Sequence, residues 1–239
     1  MAADVSASPR IVSLVPSSTE TLLGLRADVI ACTKFCEQPD IPHVGGTKNP
    51  DIAAIVALAP DLVVLDREEN RREDAEALEA AGIKIFVSDV TDLASAMTVV
   101  VELSALVNGP TVIELDRLAQ CAPLGLSVFV PIWRRPWMSI SAATYGGSLL
   151  NHLGCRMVTD DAPTAYPEVR LADVEEPDVV AVPSEPYEFT DAHLDELRVA
   201  FPSSAVVRVD GQDLFWWGSR TPGAVGRLGD ALRDVAGAG

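Results

Sequence analysis

The chain is short of positive charge. Its 239 residues carry 18 Lys and Arg against 35 Asp and Glu, a formal net charge of −17. That excess repels polyphosphates and anionic bilayers alike, which excludes nucleic acid and an acidic membrane surface as partners. Lysine is the scarcer cation. Only Lys34, Lys48 and Lys84 occur, and two of them fall within Cys32–Pro50. No uninterrupted apolar run approaches the roughly 18–20 residues of a membrane-spanning helix, so no membrane insertion is expected. Four cysteines, Cys32, Cys36, Cys121 and Cys155, are too few for a disulfide framework in a chain this long. The spacing of Cys32 and Cys36 matches neither a zinc nor a redox pair, and Cys121 and Cys155, beside apolar helical positions, read as core. His43, His152 and His193 share no metal-ligand spacing, and His152 lies in an apolar helical stretch as a structural residue would. No GxSxG, Walker or Ser/His/Asp order appears, and Gly45-Gly46 lacks the further glycines of a phosphate loop. The first ten residues hold neither the basic nor the apolar segment of a secretory signal. A cytoplasmic location is therefore expected, with a periplasmic or other extracytoplasmic one as the alternative if a leader was removed.

What is present points to a globular protein. The hydrophobic share is 48%, with dispersed charge, which excludes a disordered chain. Short apolar runs alternate with helical-period segments throughout, the pattern of α/β architecture with mostly parallel strands. Expected strands are Ile11–Val15, Val29–Thr33, Leu62–Leu65, Ile83–Val87, Leu126–Val130, Val179–Val182 and Ala205–Val209. Helices are expected from Ser17, over Asp51–Ala59, over Glu69–Ala81 with Gly82 closing it, and over Thr144–Leu153 with Gly154 closing it.

An internal repeat fixes the organisation. The segment from Pro50-Asp51-Ile52 through Pro60-Asp61-Leu62-Val63-Val64-Leu65 to Glu68 recurs from Pro167-Glu168-Val169 through Pro177-Asp178-Val179-Val180-Ala181-Val182 to Glu185. Each copy leads through a helix to another strand ending at an aspartate, Asp89 or Asp210. The sequence thus predicts two Rossmann-like lobes with mostly parallel sheets and a connecting helix. The expected boundaries are 1–107 for the N-terminal lobe, 108–123 for the connecting helix and 124–239 for the C-terminal lobe. Asn108-Gly109-Pro110 ends one helix and starts the next, with Pro at its first position. A dozen or so helical residues there would span roughly 20 Å and act as a stiff hinge.

Ligands of parallel α/β sheets lie beyond the carboxyl ends of the strands, which collects the candidate binding residues. In the first lobe these are Ser17 and Ser18, at a helix start able to hold an anion through free N–H groups, then Lys34, Phe35 and Cys36, Lys48, and Glu68, Glu69 and Asn70. In the second they are Trp133, Arg134, Arg135 and Trp137, in a loop after the first strand, then Glu185 and Tyr187, and Trp216, Trp217 and Arg220. All four tryptophans fall in two such loops, although aromatics make up only 5% of the chain. Tryptophans interleaved with arginines suit a large, flat or anionic ligand, and plugging of the lobe's core is the competing role for them. Glu68 and Glu69 equally suit an ordinary helix start. A nucleophilic Cys36 assisted by Lys34 or His43 is a further possible use of the same loops.

Several stretches resemble a known family. Arg10-Ile11-Val12-Ser13-Leu14-Val15-Pro16-Ser17-Ser18-Thr19-Glu20, Val44-Gly45-Gly46, Ile55-x-x-Leu58-x-Pro60-Asp61-Leu62-Val63 and Leu78-x-x-x-Gly82-Ile83-Lys84-Ile85 are similar to the class III substrate-binding proteins of ABC importers. These helical backbone metal receptors bind vitamin B12, ferric siderophores or haem. Thr33-Lys34-Phe35-Cys36, Gly45-Gly46-Thr47-Lys48-Asn49-Pro50, Glu68-Glu69-Asn70, Ile132-Trp133-Arg134-Arg135-Pro136-Trp137, Ser184-Glu185-Pro186-Tyr187 and Trp216-Trp217-Gly218-Ser219-Arg220 look like one subgroup without an export signal. The resemblance implies two rigid lobes, one connecting helix and a ligand held in the cleft between the lobes with little hinge closure. Trp216 or Trp217 falls near the place where a tryptophan of the B12-binding members meets the corrin. Three features depart from the importers' receptors: the missing leader, a shorter connecting helix, and Arg71-Arg72-Glu73 and Gly218-Ser219 where those receptors present glutamates to their permease.

The resulting expectation is non-catalytic binding of a small molecule, a corrinoid, haem or ferric chelate, with no resident metal assigned. An ABC permease is an expected partner only if the protein is exported. The alternatives are an enzyme that reuses the two-lobed cleft through a Lys/Cys/Glu polar site, and an importer component whose leader was removed.

Overall fold

A computed structural model describes residues 8–109, 118 and 122–236. The chain divides into two compact units, Met1–Val90 with Ser95–Val112, and Thr91–Ala94 with Ile113–Gly239. Each is an α/β unit around one four-stranded parallel sheet, the predicted class. The expected connecting helix falls almost wholly outside the described residues, as does Cys121. Among the described residues no helix is long and apolar enough to cross a membrane.

The first unit runs β1 (Arg10–Ser13), α1 (Pro16–Gly24), β2 (Asp28–Cys32), a β3–β4 hairpin (Gly45–Gly46, Asn49–Pro50), α2 (Ile52–Leu58), β5 (Leu62–Asp66), α3 (Arg72–Ala80) and β6 (Ile85–Ser88). Helix α4 (Leu93–Leu106) follows. The sheet order is β2-β1-β5-β6. All five residues of β5 are buried, and the first four are the run of apolar side chains that a parallel strand covered on both faces requires, with Asp66 at its end. Val12, Leu14, Ala31, Ile55, Val63, Leu65 and Leu78 form the core. Asp51 caps α2 by accepting from the Ala54 N–H, and Gly82 takes the left-handed conformation (φ +78°) that ends α3.

The second unit runs β7 (Ser127–Phe129), β8 (Pro131–Trp133), β9 (Trp137–Ser139), α5 (Tyr145–His152), β10 (Arg156–Met157), β11 (Glu168–Val169), β12 (Val179–Pro183), α6 (Asp191–Ala200), β13 (Ala205–Val209), α7 (Gly211–Phe215) and α8 (Thr221–Ala236). Its parallel sheet is ordered β10-β7-β12-β13, and β8, β9 and β11 form a small antiparallel sheet. Phe129, Val180, Val182, Phe189, Leu194, Leu197 and Phe201 form the core, with Phe129 and Phe201 rings 5.6 Å apart.

The sequence repeat has a structural meaning. Its two apolar runs are β5 and β12, each third in its sheet beside the unit's first strand. The aspartate just before each run has one job in both. Asp61 Oδ2 accepts from the Arg10 N–H at 2.8 Å, and Asp178 Oδ2 accepts from the Ser127 N–H at 2.7 Å. Each carboxylate thus satisfies the N–H that starts the neighbouring strand and holds the register. Two local expectations need correction. The stretch Pro131–Trp137, read as an open loop, is a β8–β9 hairpin, because Trp137 pairs with Val169 and Met138 with Glu168 of β11. The segment after Asp210 folds at once into α7, with Asp210 capping it through the Gln212 and Asp213 N–H groups.

Candidate functional site

The carboxyl edge of the first unit is built from four turns tied together by hydrogen bonds. Helix α1 begins directly after β1, and its first residues Ser17 and Ser18 are buried. No side chain caps the helix start, and the buried Ser18 Oγ has no hydrogen-bond partner. After β2 the chain turns over Thr33–Cys36, closed by the Cys36 N–H donating to the Thr33 carbonyl at 3.1 Å. Lys34 and Phe35 point outward: the Phe35 ring is 51% exposed and the Lys34 ammonium lies 5.0 Å from its centroid. Cys36 turns inward. Its sulfur meets the Thr19 and Thr33 hydroxyls, each at 3.2 Å, rather than Lys34, while His43 Nε2 bonds the Gln38 carbonyl. The Lys/His-assisted nucleophile considered from the sequence is therefore not assembled at Cys36.

Asp66 and Asn70 organise the rest of this edge. Asp66 is buried at the end of β5, where Oδ1 accepts from the Glu68 and Glu69 N–H groups and Oδ2 from the Ser88 hydroxyl. Burial pushes its carboxyl up. The Ser88, Glu68 and Glu69 hydrogen bonds oppose that push, and the Asp89 charge adds to it. Asn70 Oδ1 accepts from the Asp66 N–H, and its Nδ2 donates to the carbonyls of Thr47 at 2.9 Å and Leu14 at 3.4 Å. One amide thereby joins the ends of β1 and β5 to the β3–β4 hairpin. That hairpin carries Lys48, which donates to the Glu68 carbonyl. Glu69 is exposed at its rim yet crowded enough that desolvation pushes its carboxyl up; Lys48 pulls against this, and Asp66 and Glu68 add to it. Ser17, Lys34, Phe35, Lys48, Glu68 and Glu69 thus share one edge, with Asp66 and Asn70 as the parts that set its shape.

The carboxyl edge of the second unit is aromatic. Trp133 is 45% exposed at the tip of β8 and meets Tyr187 edge-on, with centroids 5.1 Å apart. Tyr187 leans on Phe189 at 4.8 Å, and Phe189 stacks on Trp137 at 5.9 Å with planes 3° apart. Arg134 lies over the Trp137 ring at 5.7 Å, its guanidinium held by Glu196 at 2.6 and 2.8 Å. Glu196 and the ring of His193, 5.7 Å from Tyr187, were not singled out from the sequence. The Thr190/His193 capping pattern of α6 was the signal available for the second of these.

The remaining tryptophans divide. Trp216 is half-buried under the Arg220 guanidinium, 5.5 Å from its centroid, whereas Trp217 is only 5% exposed and plugs the core. Their loop is pinned from beneath. Asp213 is buried at the end of α7 and receives Arg220 at 3.0 Å and Arg227 at 2.6 Å. Burial would raise its carboxyl, but Arg227 and Arg220 outweigh burial and hold it below the ordinary range. The Tyr145 hydroxyl meets Thr221 Oγ1 at 2.8 Å, and that oxygen accepts from the Gly218 N–H. Glu185 lies against Gly211, where a Cβ would come within 2.5 Å of Glu185 Cγ, so only glycine fits at the start of α7. Arg135 is exposed. Among the described residues no group of three His, Cys, Asp or Glu side chains is placed to hold a metal ion.

Comparisons with known proteins agree on the fold. No family model matches the chain. The vitamin B12-binding protein of Yersinia pestis (strain Pestoides F) is 30% identical over 123 residues, a stretch covering 49% of this chain and 39% of that relative. The chain is thus matched to about two fifths of the length of its curated relatives. The crystal structure of the periplasmic vitamin B12-binding protein BtuF of Vibrio cholerae superposes with a TM-score of 0.78 at 18% identity, covering 95% of this chain and 98% of that one. The periplasmic heme-binding protein HutB of Vibrio cholerae gives 0.77 at 18% identity, covering 95% and 99%. The fold is therefore that of the two-lobed periplasmic binding proteins. These likenesses overturn the cytoplasmic expectation drawn from the polar N-terminal residues, since both of these solved structures are of periplasmic proteins.

Proposed function

We propose that this chain is a non-catalytic, extracytoplasmic binding protein for a corrinoid, haem or ferric chelate, and that it presents this cargo to an ABC permease. The observation that carries the reading is the aromatic edge of the second unit, where Trp133, Tyr187, Phe189 and Trp137 form a continuous set with Trp133 half open to solvent. Flat, rigid side chains of this kind give a planar macrocycle a large contact area at little entropic cost. The partial likeness to vitamin B12-binding proteins, and the fold shared with B12- and heme-binding ones, support the same ligand class. The contacts assigned to the ligand are Trp133, Trp137, Tyr187 and Trp216, all of the second unit.

The test is a tryptophan-fluorescence titration with cyanocobalamin, haemin and a ferric hydroxamate in parallel. Saturable quenching at one equivalent by one of them is the expected result and names the class. Absence of a saturable response to all three overturns the reading and returns attention to an enzymatic use of Lys34, Lys48 and Glu68.

A further inference from the structure

The aromatic edge of the second unit leans on one imidazole. His193 lies in the first turn of α6, with its ring centroid 5.7 Å from that of Tyr187 and 6.0 Å from that of Phe189, the second contact edge-on. Tyr187 and Phe189 are the rings that meet Trp133 and Trp137. The imidazole is also engaged at one nitrogen: the Thr190 N–H, just before α6, donates to His193 Nδ1 at 3.1 Å. In the usual form of this cap a Glu or Gln side chain accepts from that N–H. Histidine can accept there only while neutral. A backbone N–H always donates, so Nδ1 carries a lone pair and the ring proton sits on Nε2. A second proton, on Nδ1, would set two donors against each other, and the acceptor beside it is Thr190 Oγ1 at 3.3 Å. The charges nearby are spent on one another. Arg208 of β13 donates to Asp191 and to the Phe189 carbonyl at 2.9 Å each, Arg134 of the β8–β9 hairpin is held by Glu196, and Arg198 by Asp195. Glu188, in the loop before α6, is exposed. Among the described residues no carboxylate bonds the imidazole, so no ion pair replaces the cap when the ring is charged.

We propose that His193 is a proton-operated latch on the aromatic edge, which holds the edge in its binding form while the imidazole is neutral and loosens it when the imidazole is charged. The proposal rests on the binding reading above for what the edge holds. The step takes one proton from solvent, which reaches the half-buried ring directly. The proton occupies the Nδ1 lone pair, the hydrogen bond from the Thr190 N–H breaks, and the ring swings toward the Thr190 hydroxyl. Tyr187 and Phe189 lose the surface they pack against, and through them so do Trp133 and Trp137. Cargo and proton therefore compete: binding weakens as the pH falls, and cargo binding expels the proton.

The test begins with the unliganded full chain. Tryptophan fluorescence and near-ultraviolet circular dichroism are followed from about pH 8 to about pH 5, the window in which imidazoles change charge. All four tryptophans lie in the second unit, so the fluorescence reports that unit. A one-proton step in the wild type that is missing from His193→Gln is the expected result, because glutamine accepts from the same N–H without titrating. A step that persists in His193→Gln, or a wild-type signal flat across the window, overturns the proposal. The cyanocobalamin, haemin and ferric hydroxamate titrations are then repeated at about pH 7.5 and about pH 5.5. Binding of the one that saturates should weaken about fivefold in acid for the wild type, the factor that a helix cap of ordinary strength corresponds to, and stay unchanged for His193→Gln. An equal loss in both proteins overturns the link between latch and cargo. If none of the three binds at either pH, the binding reading fails, while the unliganded step still decides the latch. Nitrogen-15 NMR of the wild-type imidazoles needs no variant. His193, assigned against His43 and His152, should carry its neutral-form proton on Nε2, and a proton on Nδ1 overturns the proposal.

Discussion

The two units share a strand order and a Pro-Asp step into their third strand, yet their carboxyl edges are made from opposite materials. The first edge is polar and knitted by one amide and one carboxyl group. Asn70 joins three turns through its amide, and Asp66 orders the turn after β5 by accepting from two N–H groups. The second edge presents aromatic rings held by charge, Arg134 by Glu196, and Arg220 and Arg227 by the buried Asp213. The difference shows that the repeat conserves the device that sets strand register, while the turns beyond the strands are free to take any chemistry. A scaffold of this kind separates the cost of folding from the choice of ligand.

The comparison can be broken where the charges are most buried. Asp213→Asn removes the buried carboxylate that Arg220 and Arg227 share beneath the Trp216–Trp217 loop, and should cost about 3 kcal/mol, the low end for a broken buried pair because Arg227 is partly solvated. Denaturant unfolding measures it, and a loss below about 1 kcal/mol would mean that the ion pairs only decorate the loop. Trp133→Ala should weaken ligand binding roughly thirtyfold, about 2 kcal/mol, in the quenching titration, with stability changed by no more than about 0.5 kcal/mol. If Lys34→Ala weakens binding more than Trp133→Ala does, recognition rests on the polar edge instead. Asn70→Ala removes the amide that links three turns and should cost about 1.5 kcal/mol of stability. Its effect on the second edge's aromatic signals in near-ultraviolet circular dichroism should be nil.

The smallest contrast is in acid. Asp66 has a folded pKa raised by burial, so the native state gains relative to the unfolded one as pH falls through that raised value. Asp178 is held below the ordinary carboxylate range by the Ser127 N–H and hydroxyl. It contributes stability above its unfolded value that is lost as pH falls through its lowered folded one. Carboxyl NMR titration should therefore place Asp66 above, and Asp178 below, the reference of about 3.9. The reverse order would show that the two carboxylates are not solvated as the structure has them.

Much of this was legible beforehand for local reasons. The buried strands β5 and β12 announce themselves as unbroken apolar runs, and Gly82 and Gly154 end their helices with φ of +78° and +73°, a conformation glycine adopts freely. The candidate residues were gathered by one topological rule, and the first edge's set does lie on joined turns. The β8–β9 hairpin was not legible, because its partner β11 lies some thirty residues further on and its strands are only three residues long. The division of the tryptophans was hidden for a similar reason. Trp216 and Trp217 are neighbours of equal hydrophobicity, and only the pinning of Gly218 by Thr221 and of α7 by Asp213 decides that Trp217 turns inward.

The sequence by itself determined the α/β class, the duplicated lobe, the anionic surface and the residues gathered at the strand ends, because periodicity, capping and repetition are carried by near neighbours in the chain. The tertiary structure decided which of those residues face solvent and which are spent on holding their neighbours. Such choices rest on hydrogen bonds between groups distant in sequence, as where the turn over Thr33–Cys36 is tied to Gly45 and Thr19, and spacing along the chain does not carry them.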